Sequence, residues 1–133
     1  MIVREQMFEP LLQAAPSLVP VWNEFHADWP DQKEGPFDYL AISYFAQHLV
    51  KKLESGDTAD FPAVFAVVER WHVEGDVYVK EAATVGLLED LQNYNYYASK
   101  SPEDFLPWLR PQSLRCWKKV EAFWRDGTLL RDD

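Results

Sequence analysis

Cysteine is nearly absent. Cys116 stands alone among 133 residues, so no intramolecular disulfide can form, and a reducing compartment is the natural setting. Strand signals are missing too. No segment alternates apolar and polar residues for long, and no Asn-Gly or Asp-Gly pair lies between two such runs, since Asp126-Gly127 reads as a helix stop. Long hydrophobic runs are also lacking, because charges keep interrupting the helical stretches, and this excludes a bilayer-spanning helix. The opening residues, Met1 to Pro10, have neither the basic start nor the unbroken apolar stretch of a signal peptide. A soluble cytoplasmic protein with no membrane partner is the expectation.

Basic charge is in short supply as well. Lys and Arg number 13 against 22 Asp and Glu, a formal net charge of −9. Residues 1–99 hold 16 acidic and 6 basic side chains, whereas residues 100–133 hold 6 and 7. Such a body repels phosphate backbones and anionic lipid, so nucleic acid is not an expected partner, while a basic protein surface would be attracted. Plain solubility is served by the same acidity.

Catalytic signatures do not occur. There is no Walker loop, Gly-x-Gly-x-x-Gly, His-Glu-x-x-His or Gly-x-Ser-x-Gly, and no cofactor is expected. Glu69-Arg-Trp-His72 has the Glu-x-x-His spacing of di-iron bundles, but those need a second copy and two more inward glutamates. His72, Glu74 and Asp76 cluster across the Gly75 turn and form a candidate weak divalent-metal site. The competing reading is a histidine that finishes an apolar stripe at a helix end. His26 and His48 lie beside or within apolar stripes and read as half-buried core residues sooner than as bases or ligands. Cys116, between Arg115 and Trp117 and near Lys118 and Lys119, reads as a buried structural thiol.

What is present is aromatic and helical. Hydrophobic residues make up 47% and aromatics 15%, which excludes disorder and suits one helical domain over residues 1–133. Ser17 is placed to cap a helix reaching Trp29, and Pro30 to Gly35 reads as a polar loop. Pro36 opens a long helix closed by Ser55-Gly56, along which Phe37, Leu40, Ala41, Tyr44, Phe45, His48, Leu49 and Leu53 recur at helical spacing. Asp60 is placed to cap the next helix, striped by Phe61, Val64, Phe65, Val68 and Trp71 and ending at Gly75. Ser101-Pro-Glu-Asp104 spells a capping box, and Pro107 and Pro111 separate a short helix from a last one at 112–126 carrying Leu114, Trp117, Val120, Phe123 and Trp124. Residues 1–15 add a short helix bent at Pro10. The fold expected is all-α: six or seven helices in antiparallel pairs, with 36–54 against 60–74 and 60–74 against 76–92, in an irregular HEAT-like stack.

The segment from Asp76 to Leu91 carries most of the information. Asp76 caps it, and Val79, Ala82, Ala83, Gly86, Leu87 and Leu91 share a narrow face of small residues that lets another helix approach closely. Glu54, Asp57, Asp60, Glu74, Asp76, Glu89 and Asp90 gather near helix ends, and Glu89-Asp90 is the pair no helix cap explains. Directly after it comes Asn93-Tyr-Asn-Tyr-Tyr97, rich in the residue types that binding surfaces favour, although the same tyrosines would equally serve as packing. Glu89, Asp90, Tyr94 and Tyr96 are therefore the candidate partner-binding residues.

The phrase Val79-Lys-Glu-Ala-Ala-Thr-Val-Gly-Leu-Leu-Glu-Asp-Leu-Gln-Asn93, following an amphipathic helix and a Gly-Asp turn, resembles a family of small uncharacterised bacterial all-helical proteins of HEAT-like build. The likeness is specific over about residues 60–95. In size and acidity these proteins are similar to immunity proteins of bacterial toxin systems. The resemblance implies a non-catalytic interaction module that neutralises a toxin domain with a basic surface, and it carries over no site residue. The alternatives are a small enzyme or metal-binding protein using His72, Glu74 and Asp76, and a subunit of a larger complex.

Overall fold

The computed structural model describes residues 1–30 and 37–127. Within them the chain is all-α, with α1 (Phe8–Ala14), α2 (Val19–Asp28), α3 (Phe37–Ser55), α4 (Phe61–Glu74), α5 (Val77–Glu81), α6 (Glu89–Leu91) and α7 (Pro111–Asp126). Between α5 and α6 the backbone stays helical but widens into a π-helix, Ala82–Leu88, so residues 77–91 form one continuous rod. Short 3-10 turns fill the remaining joints, among them Tyr94–Tyr96 and Pro102–Trp108. The expected loop at 31–35 and the helix-opening Pro36 lie outside the described residues, as does the side chain of Phe37.

Helix starts follow local chemistry, with two corrections. Asp76 caps as expected, its carboxylate accepting from the Val79 amide at 2.9 Å. The Asp104 carboxylate accepts from the Ser101 amide at 3.0 Å, as a capping box requires. Ser17 and Asp60, however, cap nothing with their side chains. The Ser17 hydroxyl donates to Asp60 at 2.9 Å, tying the turn before α2 to the start of α4. Each of these helices has proline at its second position, Pro20 and Pro62, which removes one of the amides a cap would satisfy. At the other end, α7 stops at Gly127, whose φ of 74° is the left-handed conformation glycine adopts freely.

The rod at 77–91 lies at the centre of the stack. Val79, Ala82, Ala83, Gly86, Leu87 and Leu91 are all buried, and the π-helical stretch packs against α3, α4 and α7. A Cβ built on Gly86 would come within 3.2 Å of Tyr39 and 3.3 Å of Ile42, so glycine is what lets α3 approach. The helix pairing departs from expectation at one place. The main neighbours of α3 are α2 and the 82–91 part of the rod, not α4, which packs instead on α1, α5 and α7. The reason is Phe8 of α1, whose ring meets Phe45 of α3 at 5.9 Å and Trp71 of α4 at 6.2 Å and so fills the space between those two helices. Because α3 is covered from two sides, Ile42, Ala46 and Val50 are buried beyond the expected stripe of Ala41, Phe45, Leu49 and Leu53. At the α4–α5 turn, Ile2 pairs with the backbone on both sides of Gly75, donating to the Glu74 carbonyl at 2.8 Å and accepting from the Asp76 amide at 2.9 Å.

Candidate functional site

Where the rod ends, the chain turns away and leaves a groove of about 750 Å³. Glu89 and Asp90 line it from α6, Tyr94 from the turn that follows, Glu103 from the 3-10 turn at 102–108, and Glu121 and Trp124 from α7. The turn at 93–96 is fixed locally, since the Asn93 side chain accepts from the Asn95 amide at 3.0 Å and the Tyr94 hydroxyl donates to Glu103 at 3.1 Å. Tyr94 and Trp124 remain 66% and 58% exposed, so two large rings stand in a concavity with nothing among the described residues packed over them. The volume falls within the range of clefts that hold ligands or partner side chains.

The electrostatics are one-sided. Four carboxylates line the groove against one cation, Arg125, which lies 3.7 Å from Asp126. Burial pushes the Glu89 carboxyl up. Asp90 is pushed up to about 6, chiefly by burial and further by the neighbouring Glu89 charge, although a hydrogen bond from Ser43 at 2.8 Å opposes the shift. No basic side chain pairs with either of them among the described residues. Carboxylates and aromatic faces are the groups that hold organic cations. Among the described residues the lining has no histidine, cysteine, serine or lysine, the usual nucleophiles and bases.

Of the four expected site residues the structure brings three together: Glu89, Asp90 and Tyr94. Tyr96 is half-buried, packs against the core and does not line the groove. Tyr97 also turns inward, its hydroxyl donating to the Leu91 carbonyl and its ring meeting Phe105 edge-on. The Tyr/Asn segment therefore divides between surface and core within a few residues.

The wider acidic gathering does not form a patch. Glu54 accepts from the amides of Ala98, Ser99 and Lys100 and from the Ser99 hydroxyl, the last the main reason its carboxyl falls to about 2. Asp57 pairs with Lys52 at 3.2 Å and Glu74 with Arg70 at 3.2 Å. Asp60 and Asp76 are engaged as described above. The triad His72, Glu74 and Asp76 is not assembled either, and among the described residues no three His, Cys, Asp or Glu side chains are placed to hold a metal ion.

His72 has a different role. It is buried, its Nδ1 lies 3.0 Å from the Val68 carbonyl and 3.1 Å from the Ser113 hydroxyl, and its Nε2 lies 3.2 Å from the Thr84 hydroxyl. Glu69, one turn earlier, accepts from the amides of Gln112 and Ser113 and from the Ser113 hydroxyl at 2.9–3.0 Å. The Glu-x-x-His spacing thus serves to cap α7 from another helix. One consistent proton arrangement has Thr84 donating to Nε2, Nδ1–H donating to Ser113 and Val68, and Ser113 donating to Glu69. Burial pushes the His72 imidazole down, keeping it neutral. Ser113 and His72 are buried, so neither the hydroxyl nor the imidazole opens to the surface.

Cys116 is buried and free. His26 is exposed, not half-buried, with its ring against Trp22 at 4.5 Å. His48 is half-buried beside a smaller cleft of about 330 Å³ between α2 and α3, its Nε2 without a hydrogen-bond partner among the described residues.

The model of a domain of unknown function, DUF7674, matches residues 8–125, which spans the fold from the start of α1 to the last turn of α7. The chain belongs to this family. No curated protein and no solved structure matches it. Every described residue lining the groove falls inside the DUF7674 domain.

Glu103, Glu121 and Trp124 are groove residues that sequence reasoning passed over. Trp124 follows Trp117 by seven residues and keeps the register of the α7 stripe, so it reads as core. What faces it at that level is the turn around Tyr94, and the result is a groove in place of a packed contact. Among the described residues no helix is long and apolar enough to cross a membrane.

Proposed function

We propose that this DUF7674 chain is a non-catalytic protein-binding module and that the groove between α6, the Tyr94 turn and α7 is its docking face. The observation that carries the reading is the pair of exposed rings, Tyr94 and Trp124, set in a concavity rimmed by Glu89, Asp90, Glu103 and Glu121. Rigid aromatic anchors inside a polar rim are how protein interfaces concentrate their affinity. The acidic rim suits a partner with a basic surface, steering its approach. A cytoplasmic immunity-type protein of a bacterial toxin system, built as a HEAT-like stack and neutralising a basic toxin domain by direct contact, is the specific role this supports.

The test is binding kinetics against the protein encoded beside this gene. Trp124→Ala and Tyr94→Ala are expected to speed dissociation by about 2 kcal/mol each if they are hot spots. Glu89→Gln is expected to slow association and flatten its salt dependence. Normal binding by both aromatic variants, with the fold intact, would rule the groove out. A subunit role in a larger complex would show instead as stoichiometric co-purification of several chains from the native host.

A further inference from the structure

Resting on the reading that the groove is the docking face, we infer that its occupant is an arginine side chain presented by the partner protein, with the guanidinium against the Tyr94 and Trp124 rings and its charge on the surrounding carboxylates. Three properties of the groove select this chemistry. Its walls offer two exposed aromatic rings, one from the 93–96 turn and one from α7, and flat rings favour a flat cation. Its rim offers carboxylates from three separate elements, α6, the 102–108 turn and α7, so a cation inside is approached from several sides. Its volume, about 750 Å³, exceeds what a bare ion needs and suits a side chain entering with part of its own backbone.

Arginine fits these walls better than lysine. The guanidinium is planar, stacks on aromatic faces, takes carboxylates two bonds at a time, and is less strongly hydrated than an ammonium. An acidic or purely apolar partner would leave the Glu89–Asp90 pair desolvated and unneutralised, a cost that grows with burial. Arg125 does not fulfil the role from within, because its head lies towards Asp126 and stays largely exposed.

A pH dependence follows. Asp90 ionises around 6, so its charge is lost in mildly acidic solution, and the groove's hold on a cation weakens as pH falls through that value. The other groups facing it are Glu89, the hydroxyl of Ser43, and across the groove Glu103, Glu121 and Arg125. None of these is a histidine, so the transition belongs to the carboxylates.

The experiment is an NMR titration of the full chain, at physiological salt, with the peptide acetyl-Gly-Ser-Arg-Gly-Ser-amide and with versions carrying Lys or Glu in place of Arg. The expected result is saturable shifts of the Trp124 indole and Tyr94 signals with the arginine peptide, at least about fivefold tighter than with lysine, and none with glutamate. Glu89→Gln with Glu121→Gln is expected to weaken arginine binding about tenfold or more, and lowering the pH from 7.5 to 5 to weaken it further. Equal response to lysine, or arginine shifts that survive the double carboxylate variant, overturns the inference. The docking face and the arginine assignment fail separately. If Trp124→Ala abolishes binding of the neighbouring-gene protein while the arginine peptide leaves the groove signals unmoved, the docking face stands and the arginine assignment falls. If Trp124→Ala binds that protein normally, the docking face itself is wrong.

Discussion

Removing Glu69 tests whether its carboxylate, reaching across from α4, is what starts α7. In Glu69→Ala the amides of Gln112 and Ser113 and the Ser113 hydroxyl lose their acceptor together. Loss of a helix cap is worth about 0.5–2 kcal/mol. Ser113 is fully buried, and its stranded donors add about 1–3 kcal/mol. Gln112 is partly exposed and adds little. Because these losses overlap, about 3 kcal/mol in total is expected, which for a domain of this size lowers Tm by roughly 10 °C. Glu69→Gln should fall in between, since an amide keeps one acceptor oxygen but turns an NH₂ towards donors. Glu74→Ala is the control. Its pair with Arg70 is half-exposed at 3.2 Å, and exposed pairs are worth about 0–1 kcal/mol.

The assay is thermal unfolding followed by circular dichroism between pH 3 and 8. Burial raises the Glu69 carboxyl, but the hydrogen bonds from Gln112 and Ser113 outweigh it and hold the group below the usual carboxylate range. A depressed folded value contributes stability that is present above the unfolded pKa and lost as pH falls through the folded one. The gap between wild type and Glu69→Ala should therefore be full at pH 7 and narrow below about pH 4. A Tm within about 2 °C of wild type at pH 7, or a gap that stays constant into acid, would refute the capping role.

Three other outcomes are expected. Gly86→Leu should lower stability by about 1–3 kcal/mol or more in urea unfolding, because its first carbon already meets Tyr39 and Ile42 at 3.2–3.3 Å. Gly75→Ala should be as damaging despite adding one carbon, at about 3 kcal/mol, since that carbon would overlap the Trp71 carbonyl and approach Val79 to 2.7 Å; a melt unchanged from wild type would mean the α4–α5 turn is looser than described. Asp90→Asn should stabilise the chain at pH 8 and make little difference at pH 4, because a raised folded pKa means stability present in acid and lost as pH rises through about 6; stabilisation independent of pH would count against it.

How far this fold can be read from the residues depends on how local each cause is. The cap at Asp76, the capping box at Ser101, the stop at Gly127 and the buried small-residue face of 79–91 are set by neighbours a turn or two away, and all are legible. Glu69 shows the limit. Its spacing to His72 is visible, but its partner Ser113 lies 44 positions on, and nothing in the spacing distinguishes a metal ligand from a cap supplied across the fold. Tyr94 and Tyr96 make the same point at short range. Two residues apart in a 3-10 turn they diverge, Tyr96 packing against the core while Tyr94 reaches Glu103, and nothing in their own neighbours decides which does which. The π-helix at 82–88 was also not legible, because an i to i−5 bond such as Glu89 to Thr84 leaves the apolar spacing almost unchanged.

The acidic excess looks different once each carboxylate is followed to its partner. Glu54, Glu69 and Asp76 bind backbone amides, Asp60 takes a serine hydroxyl, and Asp38 accepts from Arg4 and from the Tyr78 hydroxyl at 2.9 Å. These groups hold turns and helix ends together and would do so in a neutral protein as well. Glu89 and Asp90 do the opposite. They sit side by side, partly desolvated, and among the described residues Asp90 has only Ser43 to set against burial and a like charge. A fold shaped for stability alone would do better with an amide at position 90. Retaining two such carboxylates beside two exposed aromatic rings makes physical sense if a cation from another molecule neutralises them. The stabilisation expected of Asp90→Asn and a loss of partner binding in the same variant are therefore two readings of one cause. A variant that gains stability at pH 8 yet binds as well as wild type would separate them and leave the strained pair without a function.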